Sequence, residues 1–162
     1  AKFGYASDRI SGWLDPFGTT VDTWQTRQSL MSIGSGGLLG LGLGQSRQKY
    51  LYLPEPQNDF ILAIIGEELG FIGLLILLIV YLLLIWRCIH IALNAPDMFG
   101  TLLASGITIM LGVQVVLNVM IVTSLMPPTG ISLPFVSWGG NSLLVFMGSM
   151  GVMLNISRHS IK

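Results

Sequence analysis

Between Leu69 and Trp86 the chain runs for 18 residues without a charge. About 20 consecutive apolar residues in a helix cross a hydrocarbon layer of about 30 Å, so this run points to a bilayer. Helical character is expected to begin earlier, near Phe60, because nothing between there and Gly66 breaks it. A second charge-free run extends from about Met98 to Leu125, and a third, shorter one from about Ser142 to Ile156. The expected architecture is an all-α integral membrane protein. A large extracytoplasmic loop with short helices is followed by three transmembrane helices.

The distribution of charge agrees with this. Only 10% of the residues are charged, against about 25% in ordinary soluble domains. Of 16 formal charges, 12 lie in residues 1–68, and from Leu69 onward only Arg87, Asp97, Arg158 and Lys162 remain. The chain reads as a polar head on a membrane body. Zero net charge and the lack of a basic cluster argue against nucleic acid as a partner. Cys88 is the single cysteine, which excludes an internal disulfide, and no cysteine–histidine spacing suggests zinc. The opening "AKFGYASDRISGW" lacks an initiator methionine and the apolar core of a signal peptide. A fragment of a longer chain is expected.

Basic residues near the spans give an orientation. Arg87 and His90 lie between the first two spans, and Arg158, His159 and Lys162 follow the third. Both groups belong on the cytoplasmic side of a multi-pass protein. The expected segments are an extracytoplasmic loop at 1–58, a span at 59–86, a cytoplasmic loop at 87–97 and a second span at 98–125. A Pro/Gly loop at 126–141, a third span at 142–157 and a cytoplasmic tail at 158–162 complete the chain. The stretch "MPPTGISLPFVSWGGN" is too broken for helix yet too apolar for a free loop. It is expected to re-enter the membrane, with protein or a water-filled cavity covering its backbone.

Several polar residues invite two readings. Asp59 at the mouth of the first span suits a helix cap, and equally a general base over a lipid-borne substrate. Glu67 and Glu68 fall at the hydrocarbon edge. They read either as carboxylates snorkelling to water or as a functional intramembrane acid. Gln114 and Asn118, spaced i, i+4, share a helix face. They suit interhelical hydrogen bonding or substrate contact. Ser105, Thr108 and Gly112 suggest a face for close helix packing. Arg47 and Lys49 read as solvated loop charges or as a clamp for pyrophosphate. The glycine-rich "GSGGLLGLGLG" lacks a P-loop ending and reads as a flexible or close-packed surface loop. Before it, "QTRQSLMSIG" is expected to form a short amphipathic helix lying on the membrane, with Leu30, Met31 and Ile33 downward.

Two long segments carry a resemblance. "IGSGGLLGLGLGQSRQKYLYLPEPQNDFILAIIGEELGFIG" and "PPTGISLPFVSWGGNSL" are similar to the signature regions of SEDS proteins (shape, elongation, division and sporulation), in the FtsW and SpoVE branch. "RISGWLDPFG" and "TWQTRQS" also fit that family's extracellular loop. Trp138 and Asn141 depart from the family's frequent tyrosine and serine. The resemblance implies the last three helices of a ten-helix bundle in the bacterial cytoplasmic membrane. It implies a peptidoglycan glycosyltransferase that polymerises lipid II into glycan strands during division or sporulation, with fragment 1–162 inactive alone. Implied partners are lipid II, undecaprenyl-pyrophosphate-linked glycan, a class B penicillin-binding protein and other divisome or sporulation membrane proteins. Asp59 then stands where the family has its required aspartate, as base or as ligand of a divalent cation (Mg or Mn). Arg47, Lys49, Gln114, Asn118 and Ser137 are the candidate substrate contacts. Two rivals stand beside this reading: a flippase or transporter of a lipid-linked precursor, and a non-catalytic division scaffold.

Overall fold

The structure is a computed structural model that describes residues 13, 21–42, 44, 61–127 and 129–159, with side chains of the first helix from Arg27 onward. Among the described residues four long helices stand out: α1 (Val21–Gly36), α2 (Ile61–Leu93), α3 (Met98–Val122) and α4 (Gly140–Arg158). The last three are long and apolar enough to cross a membrane. α2 continues past Trp86 to Leu93, and α3 stops at Val122. Pro96 disfavours helix at Ala95. Asn94 ends α2 by donating its backbone and side-chain N–H groups to the His90 carbonyl at 3.2 and 2.7 Å. The extended Asp97 then opens α3, its carbonyl accepting from the Thr101 backbone N–H at 3.0 Å and from the Thr101 hydroxyl at 3.1 Å.

α3 buries Ala104, Thr108, Leu111, Val115, Asn118 and Val122. Their spacing of three and four residues is one helix face. The small residues at one end of that face let α3 lie close against α2. Thr108 donates its hydroxyl to the Ala104 carbonyl at 2.7 Å, which satisfies its own donor inside the helix. One core cluster gathers Leu62, Ala63, Tyr81, Val115, Val122 and Leu133 at the α1 end of the bundle. A second, at the far end, joins Cys88, Ala92, Ala104 and Met153. α4 buries only Phe146 and Met153.

α2 is not one continuous helix, contrary to the expectation of unbroken helix from Phe60. Gly70 has φ 69° and ψ −169°, which no helical residue adopts. The break orphans carbonyls above it and N–H groups below it. The glycine-rich segment after α1 satisfies them. Leu41 N–H and Gly42 N–H donate to the carbonyls of Glu67 and Glu68 at 2.9 and 3.0 Å. Phe71 N–H and Ile72 N–H donate to the carbonyls of Gly37 and Leu38 at 2.9 and 3.3 Å. This approach requires glycine. A Cβ on Gly36 would lie 2.0 Å from the Gly66 carbonyl oxygen, and one on Gly40 would lie 2.1 Å from that of Glu68.

The same packing orients α1. Its buried face is Gln28, Ser29, Ser32 and Gly36, while Leu30 and Met31 point outward. Only small or slender side chains fit where α1 meets α2. Ser29 donates its hydroxyl to the Val122 carbonyl at 3.0 Å, tying α1 to the end of α3. Ile33 packs against the first core cluster. α1 therefore packs against α2 and the end of α3 through its small residues, with Ile33 inward and Leu30 and Met31 exposed.

Candidate functional site

The stretch after α3 folds back between the helices instead of leaving the bundle. Leu133 and Pro134 are buried, and their level is set by Tyr81, which donates its hydroxyl to the Pro134 carbonyl. Tyr81 follows Gly70 by 11 residues, so this contact lies about 16 Å along α2 from the break. At such depth an irregular backbone needs protein partners for its polar groups. α2 supplies one through Tyr81, and α3 supplies two. Gln114 donates its amide to the Ser132 carbonyl at 3.1 Å, and Asn118 donates to the Ile131 carbonyl at 2.7 Å. Within the loop, Leu133 N–H donates to Ser137 Oγ at 2.7 Å, and Ser137 N–H returns a bond to the Leu133 carbonyl at 3.1 Å.

The loop also turns sharply. Phe135 takes φ 64°, a region costly for a bulky residue. Its ring meets Phe146 of α4 edge to face, with centroids 5.6 Å apart. Ser132 donates its hydroxyl to that of Ser142 at 3.0 Å, a second link to α4. Between α3, α4 and the loop lies an open groove of about 620 Å³. Ile109, Met110, Val113 and Leu117 form its apolar wall, and Gln114, Ser132 and Ser142 its polar end.

Of the candidate contacts, Asn118 is fully buried and Ser137 nearly so, each hydrogen-bonded to loop backbone. Gln114 alone of these three also lines the groove. All three are neutral groups that can bind and orient but carry no acid–base chemistry at neutral pH. Asp59, Arg47 and Lys49 lie outside the described residues, as does the helix-cap reading of Asp59. Glu67 does not snorkel. It is 1% exposed at the last turn before the break, and a partner engages it. Glu68 is partly buried, and its Oε1 has no hydrogen-bond partner among the described residues. Among the described residues no group of three His, Cys, Asp or Glu gathers where a metal could sit.

Tyr81 escaped the sequence reading. It carries the only hydroxyl between Leu69 and Trp86, and that isolation was the available signal. The Gly36–Gly70 brace was also missed. Its signal was a matching four-residue spacing, Gly36 to Gly40 and Gly66 to Gly70.

Two signature segments thus meet in one place. Ile61, Leu62 and Ala63 from the first pack in the same cluster as Ile131, Leu133 and Phe135 from the second. Three apolar spans, a broken helix and a loop folded back between the helices define a polytopic membrane protein with an irregular polar site at one end of its bundle. The family model of FtsW, RodA and SpoVE, described as cell cycle protein, matches residues 2–162. The chain belongs to that family, whose members are multi-pass proteins of the bacterial cytoplasmic membrane. It is 53% identical over 157 residues to stage V sporulation protein E of Bacillus subtilis (strain 168), covering 96% of this chain and 43% of the relative. It is 47% identical over 154 residues to the probable peptidoglycan glycosyltransferase FtsW of Geobacter sp. (strain M18), covering 94% and 42%. A solved peptidoglycan synthase complex, described for its coordination of polymerization and crosslinking, superposes with TM-score 0.77 at 31% identity, covering 98% of this chain and 43% of that one. An aspartate-to-alanine mutant of the rod shape determining protein RodA of Thermus thermophilus superposes with TM-score 0.63 at 34% identity, covering 83% and 40%. The chain thus spans about two-fifths of each of these relatives.

Proposed function

We propose that these residues are part of a peptidoglycan glycosyltransferase that joins lipid II units into glycan strands. The observation that carries the reading is the convergence of the two signature segments on one core cluster at the α1 end of the bundle. The sequence orientation places that end outside the cytoplasm. Asp59 stands two residues before Ile61 in the chain, and Ile61 packs against that cluster.

In this reading the acceptor's 4-hydroxyl attacks the anomeric carbon of the growing strand, and undecaprenyl pyrophosphate leaves. Asp59 accepts the hydroxyl proton. Arg47 and Lys49 bind the pyrophosphate. Gln114 meets substrate at the polar end of the groove, while Asn118 and Ser137 act by holding the re-entrant loop. A divalent cation on Asp59 is the alternative role for that carboxylate, and no step here depends on it. A class B penicillin-binding protein is the proposed partner. The superposition on a peptidoglycan synthase complex supports that pairing.

The transporter alternative asks for polar groups lining a path across the bilayer. Here Tyr81, Gln114 and Asn118 are engaged on the loop backbone, which favours the enzyme. The test is Asp59→Asn in the full-length protein, purified with its penicillin-binding protein and given lipid II. Polymerisation is expected to be abolished with folding intact. Normal glycan synthesis by this variant sinks the catalytic role, and loss of lipid flipping instead transfers support to the transporter.

A further inference from the structure

From Gly36 to Gly44 the chain contains only glycine and leucine. Such a segment has no side chain able to hydrogen-bond its own backbone. Yet the backbone is paired: Gly40 N–H donates to the Gly36 carbonyl at 2.8 Å, and four more bonds link the loop to both sides of the α2 break. A loop in water does not need this, because solvent serves its polar groups. A loop in hydrocarbon does.

The chain length below the break gives its depth. Arg87, the first charge after the break, follows Gly70 by 17 residues. At about 1.5 Å each this is about 26 Å, within a hydrocarbon layer of about 30 Å.

The side chains point the same way. Leu38 is 70% exposed, Leu39 81% and Leu41 41%. Their surface continues without a polar residue into exposed Phe71, Ile72 and Leu75 of α2. On α2 that strip lies on a helix long and apolar enough to cross a membrane.

We propose that Leu38, Leu39 and Leu41 are inserted among the acyl chains of the bilayer leaflet at the α1 end of the bundle. The loop is then a membrane-embedded plug over the α2 break, with leucine outward and glycine backbone sealed inward. The occupant of the patch is lipid, not a second protein.

The test places a nitroxide on single-cysteine variants Leu39→Cys and Ile76→Cys of an otherwise cysteine-free full-length protein in phosphatidylglycerol–phosphatidylethanolamine liposomes. Collision with oxygen is compared with collision with a water-soluble nickel chelate. At Leu39 oxygen is expected to exceed the chelate several-fold, as at Ile76, an exposed position within the apolar span. Strong chelate collision at Leu39 means that the tip is in water and overturns the proposal. Exclusion of both reagents means that other protein covers the tip and overturns it equally. Should the cysteine variant fail to fold, Leu39→Trp with brominated acyl chains gives the same decision. Loss of most tryptophan emission specific to that variant supports insertion, and unchanged emission refutes it.

Discussion

Gly70→Ala tests the joint between α2 and the glycine-leucine loop. At φ 69° and ψ −169° a residue with a side chain is strained by about 1–3 kcal/mol. The added Cβ would also lie 2.4 Å from Gly40 N and 2.6 Å from the Leu38 carbonyl oxygen. Both are backbone atoms, so the loop must retreat by about 1 Å to restore ordinary contact. That movement breaks the bonds from Phe71 and Ile72 to the loop carbonyls. Each buried group left unpaired costs about 1–3 kcal/mol. Together the loss is about 3–9 kcal/mol, a large part of the about 5–15 kcal/mol that usually holds a domain together. Gly34→Ala is the control. It lies in α1 with nothing within 4 Å of the new Cβ, and alanine gains about 0.5–1 kcal/mol over glycine inside a helix. The same chemical change should therefore have opposite signs at two sites. The assay is unfolding of the purified full-length protein by a denaturing detergent, followed by circular dichroism. Equal midpoints for the two variants, or a Gly70→Ala protein as stable as the parent, would refute the claim that the break is a glycine-only joint.

Two further outcomes follow from the buried contacts. Tyr81→Phe removes the bond to the Pro134 carbonyl and leaves that acceptor unpaired, at a cost of about 1–3 kcal/mol; hydrogen exchange at residues 131–137 should accelerate, and unchanged protection would show that the loop does not depend on this bond. Cys88 is 2% exposed, so peptide-level mass spectrometry should find it unmodified by a maleimide in folded protein and labelled only after denaturation.

The spans were legible because charge-free length is a property of composition, and the bilayer reads composition directly. The break at Gly70 was not. The pattern on both sides of it is apolar, and an isolated glycine inside such a run is compatible with helix. What decides its conformation is a partner 30 residues earlier, the Leu38–Gly40 backbone, and hydrophobic periodicity carries no record of that pairing. The contact face of α1 was not legible for a related reason: close helix contact selected Ser29, Ser32 and Gly36 by size, leaving Leu30 and Met31 exposed. Gln114 and Asn118 were legible as one polar face, and one of the two readings given them was hydrogen bonding within the bundle. Their acceptors, the carbonyls of Ile131 and Ser132, belong to backbone that side-chain patterns do not register.

The order of groups along the chain bears on how the bundle is made. The donors that hold the re-entrant stretch, Tyr81, Gln114 and Asn118, all precede it in sequence. During synthesis they enter the membrane before their acceptors exist. A nascent chain that has delivered α2 and α3 but not yet residues 131–134 carries two amides and a phenol with nothing from that stretch to bind. Arrival of the next few residues discharges that debt in a single step. Insertion of this end of the molecule is therefore directional, each helix pair preparing the receptor for the segment that emerges after it.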